Sequence, residues 1–301
     1  MAAVLITGAT GKQGGSLIRS LVVRKAPFEI LAVTRSPSSP PAQRLSKLSD
    51  KITLVEGDLS NPAGIFQRAQ SLTKSPIWGV YSVQAAIGNS HEETQGKALV
   101  DESIRQNVKV FVYSSVDRGG EERSWSNPTK IPHFMKKHKI EQHLMKSTKD
   151  STMSWVILRP AAFYENLSPD FFGKVFATCF KMALQGKPLQ MVATSDIGYF
   201  AADAFLHPEQ YTGKAISLAG DELTYDGMRL VFEQKTGRVL PTTFRPVCAF
   251  FMAMMKDMGY MFRWFHDEGY GVDIPSLRAR HPEMKDFATW LEKEPWVRRS
   301  D

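Results

Sequence analysis

The sequence predicts an α/β protein organised around a doubly wound parallel sheet, with a smaller C-terminal α+β lobe. Two observations carry this. Short apolar runs rich in Val and Ile recur through the first 160 residues, separated by segments of helical spacing. A glycine-rich turn follows the first run directly and opens a helix.

The runs are Ala3–Thr7, Ile30–Thr34, Ile52–Val55, Gly79–Val83, Val108–Tyr113 and Ser154–Leu158. Continuous apolar runs suit strands buried on both faces, as in a parallel sheet. Strand and helix in alternation imply right-handed crossovers and a doubly wound arrangement. Pro37–Pro41 and Asp117–Pro128, the latter with its Gly119-Gly120 pair, read as loops by composition. After Pro160 the rhythm is lost. Leu167–Leu184 and Met228–Lys235 have helical spacing, Ala215–Leu218 reads as one more strand, and Val247–His266 as an aromatic- and methionine-rich helix pair. The expected division is residues 1–160 for the sheet domain and 161–301 for the smaller lobe, with some later segments returning to the sheet.

Composition bounds the function. The 301 residues carry 38 Lys+Arg against 31 Asp+Glu, a formal charge of +7, with 43% hydrophobic residues. These are ordinary globular values. Cys179 and Cys248 make neither a disulfide framework nor a C-x-x-C pair, which points to a reduced, intracellular setting. The expected location is cytoplasmic, or cytoplasmic and nuclear. The apolar start runs straight into the glycine turn, so no signal peptide is expected. No apolar stretch is long enough for a membrane span.

The turn is Thr7-Gly8-Ala9-Thr10-Gly11-Lys12-Gln13-Gly14-Gly15, with G-x-x-G-x-x-G spacing at Gly8, Gly11 and Gly14. Gly8 permits the tight turn off the strand, Gly11 removes a Cβ where a pyrophosphate would approach, and Gly14 lets the helix pack closely on the strand. The helix N-terminus then presents N–H groups and a positive dipole end to phosphates. At the end of the second run, where an NAD site usually carries an acid, the sequence has Arg35. A guanidinium there can clamp a 2′-phosphate, and Lys12 adds a second cation, so NADP(H) is favoured over NAD. Asp58, closing the third run, has two open readings: an acceptor for the adenine amino group, or a cap ahead of the helix that Asn61-Pro62 opens.

These motifs, with Tyr113-Ser114-Ser115, His133-Phe134-x-x-Lys137, Arg159-Pro160, Phe163-Tyr164-Glu165-Asn166 and Met261-Phe262-Arg263, resemble the NmrA-like family of atypical short-chain dehydrogenases/reductases. Within that family the pattern is similar to NADPH-sensing members. The resemblance spans essentially the whole chain. It implies a Rossmann-type NADP-binding domain, a smaller lobe and a cleft between them. It places cofactor contacts on Gly8, Ala9, Thr10, Gly11, Lys12, Gln13, Gly14, Arg35, Asp58 and Gln84. Lys137 would reach the nicotinamide ribose, and Phe163, Tyr164, Glu165 and Asn166 would line the nicotinamide end.

Catalysis is a separate question. The superfamily's reductase chemistry resembles Tyr-x-x-x-Lys plus Ser, yet none of the eight tyrosines here has a Lys four residues later. The Tyr slot holds His133, giving His133-x-x-x-Lys137 on one helical face. Lys137 lies on the half-buried side, where a cation needs a partner, and a cofactor ribose would be one. His133 reads either as an acid near neutral pH or as a packing residue. Ser114 reads as a substrate contact or a strand cap. Two functional classes follow: an NADP(H)-binding, redox-responsive regulator with a protein partner, or an NADPH-dependent reductase of a small carbonyl, quinone or activated alkene. Both monomer and homodimer are compatible.

Five of the 13 methionines fall between Met252 and Met261, amid aromatic residues. They read as a core helix pair, with a pocket lid or partner groove as the alternative. The basic stretch Lys130–Lys149 has six lysines and one acid, but no nucleic-acid motif, so direct nucleic-acid binding is not expected.

Overall fold

The structure is a computed structural model and describes residues 1–86 and 88–294. Its elements run β1 (Ala2–Ile6), α1 (Lys12–Val23), β2 (Phe28–Thr34), α2 (Pro40–Ser46), β3 (Ile52–Glu56), α3 (Pro62–Leu72), β4 (Ile77–Ser82), α4 (Glu92–Arg105), β5 (Val110–Ser114), α5 (Glu121–Ser126), α6 (Pro132–Ser147) and β6 (Ser154–Pro160). There follow β7 (Ala162–Phe163), a 3₁₀ turn (Tyr164–Leu167), α7 (Phe171–Leu184), β8 (Leu189–Val192), α8 (Thr194–Leu206), α9 (Pro208–Tyr211), β9 (Lys214–Leu218) and β10 (Asp221–Leu223). The chain continues through α10 (Tyr225–Thr236), α11 (Arg245–Met254), α12 (Lys256–Asp267), α13 (Ile274–Arg280) and α14 (Phe287–Lys293).

The main sheet has the order β3-β2-β1-β4-β5-β6-β9, and the pairings among its first six strands are parallel. All six strands foreseen in the first 160 residues are present, and Ala215–Leu218 is the core of β9. The doubly wound sheet is therefore as the sequence predicts. A second, mixed sheet joins β10, β8 and β7.

Two loop assignments need correction. Pro40 and Pro41 do not remain in a loop but form the first turn of α2. A proline's fixed φ suits the first turn, where its missing N–H costs nothing. Asp117–Pro128 likewise contains α5 and is tied down throughout. The buried Asp117 carboxylate accepts from the N–H groups of Gly119, Gly120 and Gly271 and from the Ser217 hydroxyl at 2.6 Å. The fully buried Arg118 donates to the carbonyls of Val116, Ser124 and Asn127. Gly/Ser/Asn composition marks turns, but it cannot reveal buried side chains that satisfy the turn's backbone.

The chain divides into two compact units; the division departs from 1–160 and 161–301 at residues 116–135, and the later segments that return to the sheet are residues 195–216. Unit 1 comprises Met1–Ser115, Lys136–Arg159 and Ser195–Ile216. Unit 2 comprises Val116–Met135, Pro160–Thr194 and the described chain from Ser217 onward. Residues 116–135 thus leave the sheet domain, and α8 with α9 return to it.

Unit 1 packs a core of strand residues such as Val4, Leu5, Val80, Phe111 and Ile157, all essentially inaccessible. Unit 2 has its own apolar core, in which Phe176, Phe180, Phe262, Trp264, Phe287 and Trp290 meet. The Met-rich pair α11–α12 is part of it, as the core reading expects. Its outer face nevertheless leaves Phe250, Met254 and Tyr260 exposed.

Both cysteines are free and buried in that core, and they are neighbours. Burial, with the Cys248 thiol alongside, pushes the Cys179 thiol up to about 12. A thiol reacts as its thiolate. Native protein at pH 8 is therefore expected to show no fast reaction of either cysteine with a disulfide reagent, and both should react on unfolding. Stoichiometric reaction of the native protein would refute the burial of this pair.

Candidate functional site

In a doubly wound sheet, ligands bind beyond the carboxyl ends of the strands where the strand order reverses. Here that point lies between β1 and β4. The glycine turn follows β1, and Val83 and Gln84 follow β4. Thr7 stitches the two together: its hydroxyl bonds the Tyr81 and Val83 carbonyls and accepts from the Val83 N–H at 2.9 Å.

The turn has the geometry its glycines imply. Gly8 adopts φ +58°, and a Cβ there would lie 2.7 Å from Val83 Cγ1. A Cβ on Gly14 would lie 2.4 Å from the Gly8 carbonyl oxygen and 2.8 Å from that of Thr7. Backbone cannot retreat as a flexible side chain can, so α1 approaches β1 this closely only with glycine at 14. Gly11 is the N-cap of α1; no side chain caps this end, and the first turn has no acid. An uncapped N-terminus at a switch point is a natural anion site. Lys12 and Thr10 are exposed beside it, while Ala9 is buried under the turn.

Arg35 follows β2 and is exposed. Asp58 follows β3, and its carboxylate accepts from the Ser60 N–H at 2.8 Å. That bond and the Ser60 hydroxyl hold Asp58 below the usual carboxylate range, and the Arg35 charge lowers it further. The cap of α3 is Asn61, whose side chain accepts from the Gly64 N–H at 3.0 Å, so Asp58 shapes the turn ahead of that cap and is not the cap itself. β2 and β3 pair in parallel with Thr34 opposite Glu56, so Arg35 and Asp58 follow carboxyl ends that lie side by side at one rim.

Deeper in, Gln13 joins the turn to β5. Ser114 Oγ donates to Gln13 Oε1 at 2.5 Å, and the Tyr81 hydroxyl approaches the same oxygen at 3.4 Å. Ser114 and Tyr81 are fully buried, and burial raises the Tyr81 phenol well above its ordinary value. The Ser114 hydroxyl thus gives its proton to Gln13 and keeps its lone pairs for accepting. Gln84 is 5% exposed; its amide nitrogen donates to Ser82, and its Oε1 has no hydrogen-bond partner among the described residues. A buried acceptor left unpaired is costly, so this oxygen is suited to a donor brought by a ligand.

Lys137 is 6% exposed and has a partner that the sequence did not reveal. Glu92, fully buried at the start of α4, takes its ammonium at 2.9 Å. Lys137 Nζ also lies 3.4 Å from the Ser114 carbonyl and 5.8 Å from the centre of the Tyr113 ring. The compensation that the half-buried cation requires is supplied within the chain. The charge argument for a ribose at Lys137 is replaced by one of position beside Ser114. Other lysines of the basic helix are also engaged: Lys136 with the Asn89 carbonyl and Lys139 with Glu93.

His133 lies four residues earlier on α6, in the part of that helix belonging to unit 2. Its Nδ1 is 2.6 Å from Asp257 Oδ1, and its N–H donates to the same oxygen at 3.2 Å. Asp257 is a second residue that sequence reasoning missed, because the two are 124 residues apart with no local signal joining them. A carboxylate on Nδ1 fixes the imidazole's orientation and tautomer. Tyr164 is fully buried against Phe287 and Trp290, and Glu165 accepts from both the N–H and the hydroxyl of Thr194 at the start of α8. Both side chains thus have packing roles inside unit 2, whereas Phe163 and Asn166 are only half-buried. No cluster of His, Cys, Asp or Glu among the described residues could hold a metal ion, and no helix among them is long and apolar enough to cross a membrane.

Sheet order, glycine turn and uncapped helix together define a Rossmann-type α/β protein. A model of the NmrA-like family matches residues 2–291, and the chain belongs to that family. It is 28% identical over 257 residues to an NmrA-like family domain-containing oxidoreductase of Aspergillus hancockii, covering 78% of this chain and 72% of the relative. The structure resembles that of NmrA, a negative transcriptional regulator, in complex with NADP (TM-score 0.67, 15% identity, 98% of this chain and 99% of the other). It also resembles the NADPH-dependent quinone oxidoreductase QOR2 of Escherichia coli complexed with NADPH (TM-score 0.69, 20% identity, 95% and 97%). At these identities the structural likenesses establish the fold.

Proposed function

We propose that unit 1 binds NADP(H) and that the protein acts as a redox-responsive regulator with weak or no dehydrogenase chemistry. One observation carries the binding: an uncapped glycine turn at the strand-order reversal, with Lys12 and Arg35 as cations and no acid in Arg35's place. The residues present fit the dinucleotide. Gly8 and Gly11 are exposed and carry no side chain, so the pyrophosphate can approach the backbone there. Arg35 and Lys12 hold the 2′-phosphate, and the Asp58 carboxylate accepts from the adenine amino group. Gln84 Oε1 accepts from a ribose hydroxyl or carboxamide, and Lys137 donates to the nicotinamide ribose.

The regulator reading rests on how the usual proton machinery is occupied. Ser114 and Tyr81 are buried against Gln13, Lys137 is paired with Glu92, and no tyrosine stands four residues before Lys137. A reductase of quinones or other small organic substrates is the second reading. Several relatives are named oxidoreductases, and His133 held by Asp257 is a proton source that a reduction needs. Bound NADPH would supply the hydride.

The readings separate in one assay. Purified protein is mixed with NADPH and a panel of quinones and aldehydes, and nicotinamide absorbance is followed. A regulator oxidises NADPH only at or slightly above background, with no panel member saturating it, and its hydrogen exchange differs between NADPH and NADP⁺. Saturable, multiple turnover on any panel member establishes the reductase. Identical exchange with both cofactors removes the redox-responsive role.

A further inference from the structure

The Met261-Phe262-Arg263 motif has no part in the nucleotide reading, and its Phe262 and Arg263 border a separate feature of unit 2. A groove of about 570 Å³ lies among the end of α7, α11 and α12. Met261 packs against the unit 2 core and Phe262 is fully buried in it, which anchors α12 and turns Arg263 outward. Arg263, Lys256 and His266 all line the groove. Positions 256 and 263 are two helical turns apart and share a face.

The wall is chemically one-sided. No acidic residue lines it, and its apolar part is Met252, Ala253, Tyr260 and Phe262. His266 has its own partner, since its Nδ1 is 2.8 Å from Asp267. Lys256 and Arg263 have no ion pair or hydrogen bond among the described residues. Gly259 sets the depth: a Cβ there would lie 2.4 Å from the Met252 carbonyl oxygen, so α12 comes this close to α11 only with glycine.

We propose that this groove binds a small amphipathic anion, an organic carboxylate or sulfonate with an aromatic or short aliphatic body. Volume, apolar wall and cations each point the same way. About 300–1,000 Å³ is the range of small-molecule sites, whose walls are mainly apolar with a few placed polar groups. Lys256 and Arg263 would take the acid group, Arg263 through its planar fork. Met252, Ala253 and Tyr260 would cover the body. An inorganic anion would leave that wall wet, and an uncharged apolar molecule would leave the two cations without a role.

The test uses the full-length protein saturated with NADP⁺, titrated with 8-anilinonaphthalene-1-sulfonate and followed by fluorescence. The uncharged N-phenyl-1-naphthylamine serves as the matched control. The double variant Lys256→Met/Arg263→Met removes both charges while keeping unbranched, flexible side chains, and exposed Ala253→Trp fills the groove. Wild type should bind the sulfonate about tenfold or more tightly than the double variant, as losing two charge-assisted contacts implies. Ala253→Trp should abolish binding, with an unchanged unfolding temperature in both variants. Equal affinity in wild type and double variant, equal affinity for the uncharged control, or binding that survives Ala253→Trp would each overturn the proposal. The same titration without NADP⁺ should give the same ratio between wild type and variants, so failure of the nucleotide reading leaves these outcomes distinguishable.

Discussion

Replacing Arg35 by alanine is expected to weaken NADPH binding about 10- to 100-fold while changing NADH binding by no more than about twofold. The 2′-phosphate is the sole chemical difference between these ligands. Charge-assisted hydrogen bonds to it are each worth about 1.5–3 kcal/mol, and every 1.4 kcal/mol or so is tenfold in affinity. Paired calorimetric titrations with the two cofactors measure the ratio directly. An equal loss for both would mean that Arg35 supports the fold and does not read the phosphate. A second readout needs no ligand. The Arg35 charge helps to hold the Asp58 carboxyl below its ordinary range, behind the larger effect of Ser60. Asp58 should therefore titrate somewhat higher in the variant, remaining lowered because the Ser60 bonds persist. A carboxyl shift followed by NMR would report this.

Replacing Glu141 by glutamine is expected to cost about 3–5 kcal/mol of stability, because it leaves a buried guanidinium without its counter-charge. Arg159 on β6 and Glu141 on α6 are both fully buried. They meet through two bonds: Arg159 Nε to Oε1 at 3.1 Å and Nη2 to Oε2 at 2.8 Å. At about 2–4 °C per kcal/mol for a chain of this size, the unfolding temperature should fall by roughly 10 °C. The cost belongs mainly to the stranded charge and only partly to the lost attraction. The double variant Glu141→Leu/Arg159→Met should therefore recover most of the loss, since apolar replacements of buried pairs are often neutral. Failure of the double variant to recover would show that the pair itself stabilises unit 1. Glu141 lies one helical turn beyond Lys137, so the pair also fixes the part of α6 that places Lys137 beside Ser114. NADPH affinity should fall in Glu141→Gln and return in the double variant.

Much of unit 1 was readable from the chain itself, and the reasons are local. A strand buried on both faces must be a short apolar run, so β1 to β6 stood out. Gly8 and Gly14 were readable because φ +58° and a Cβ at 2.4 Å from backbone tolerate little else. Arg35 was readable because a fixed distance along a βαβ unit carries it to the rim. Loop composition misled at Pro40 and at Asp117–Pro128. There the deciding groups, an N-terminal helical turn and two buried charged side chains, leave no compositional trace.

The sequence by itself determined the doubly wound sheet, the glycine turn and the cation beyond β2, because periodicity and spacing act between neighbours in the chain. Tertiary structure alone decided what each functional side chain touches. It gave Lys137 to Glu92, His133 to Asp257, Ser114 to Gln13 and Tyr164 to the unit 2 core. It also moved residues 116–135 out of the sheet domain and brought α8 into it. The physical reason is common to all of these. A buried charge or hydroxyl is stable only with a partner, and that partner is chosen by packing across long separations in the chain. Composition states that such partners are required and does not say which residues they are.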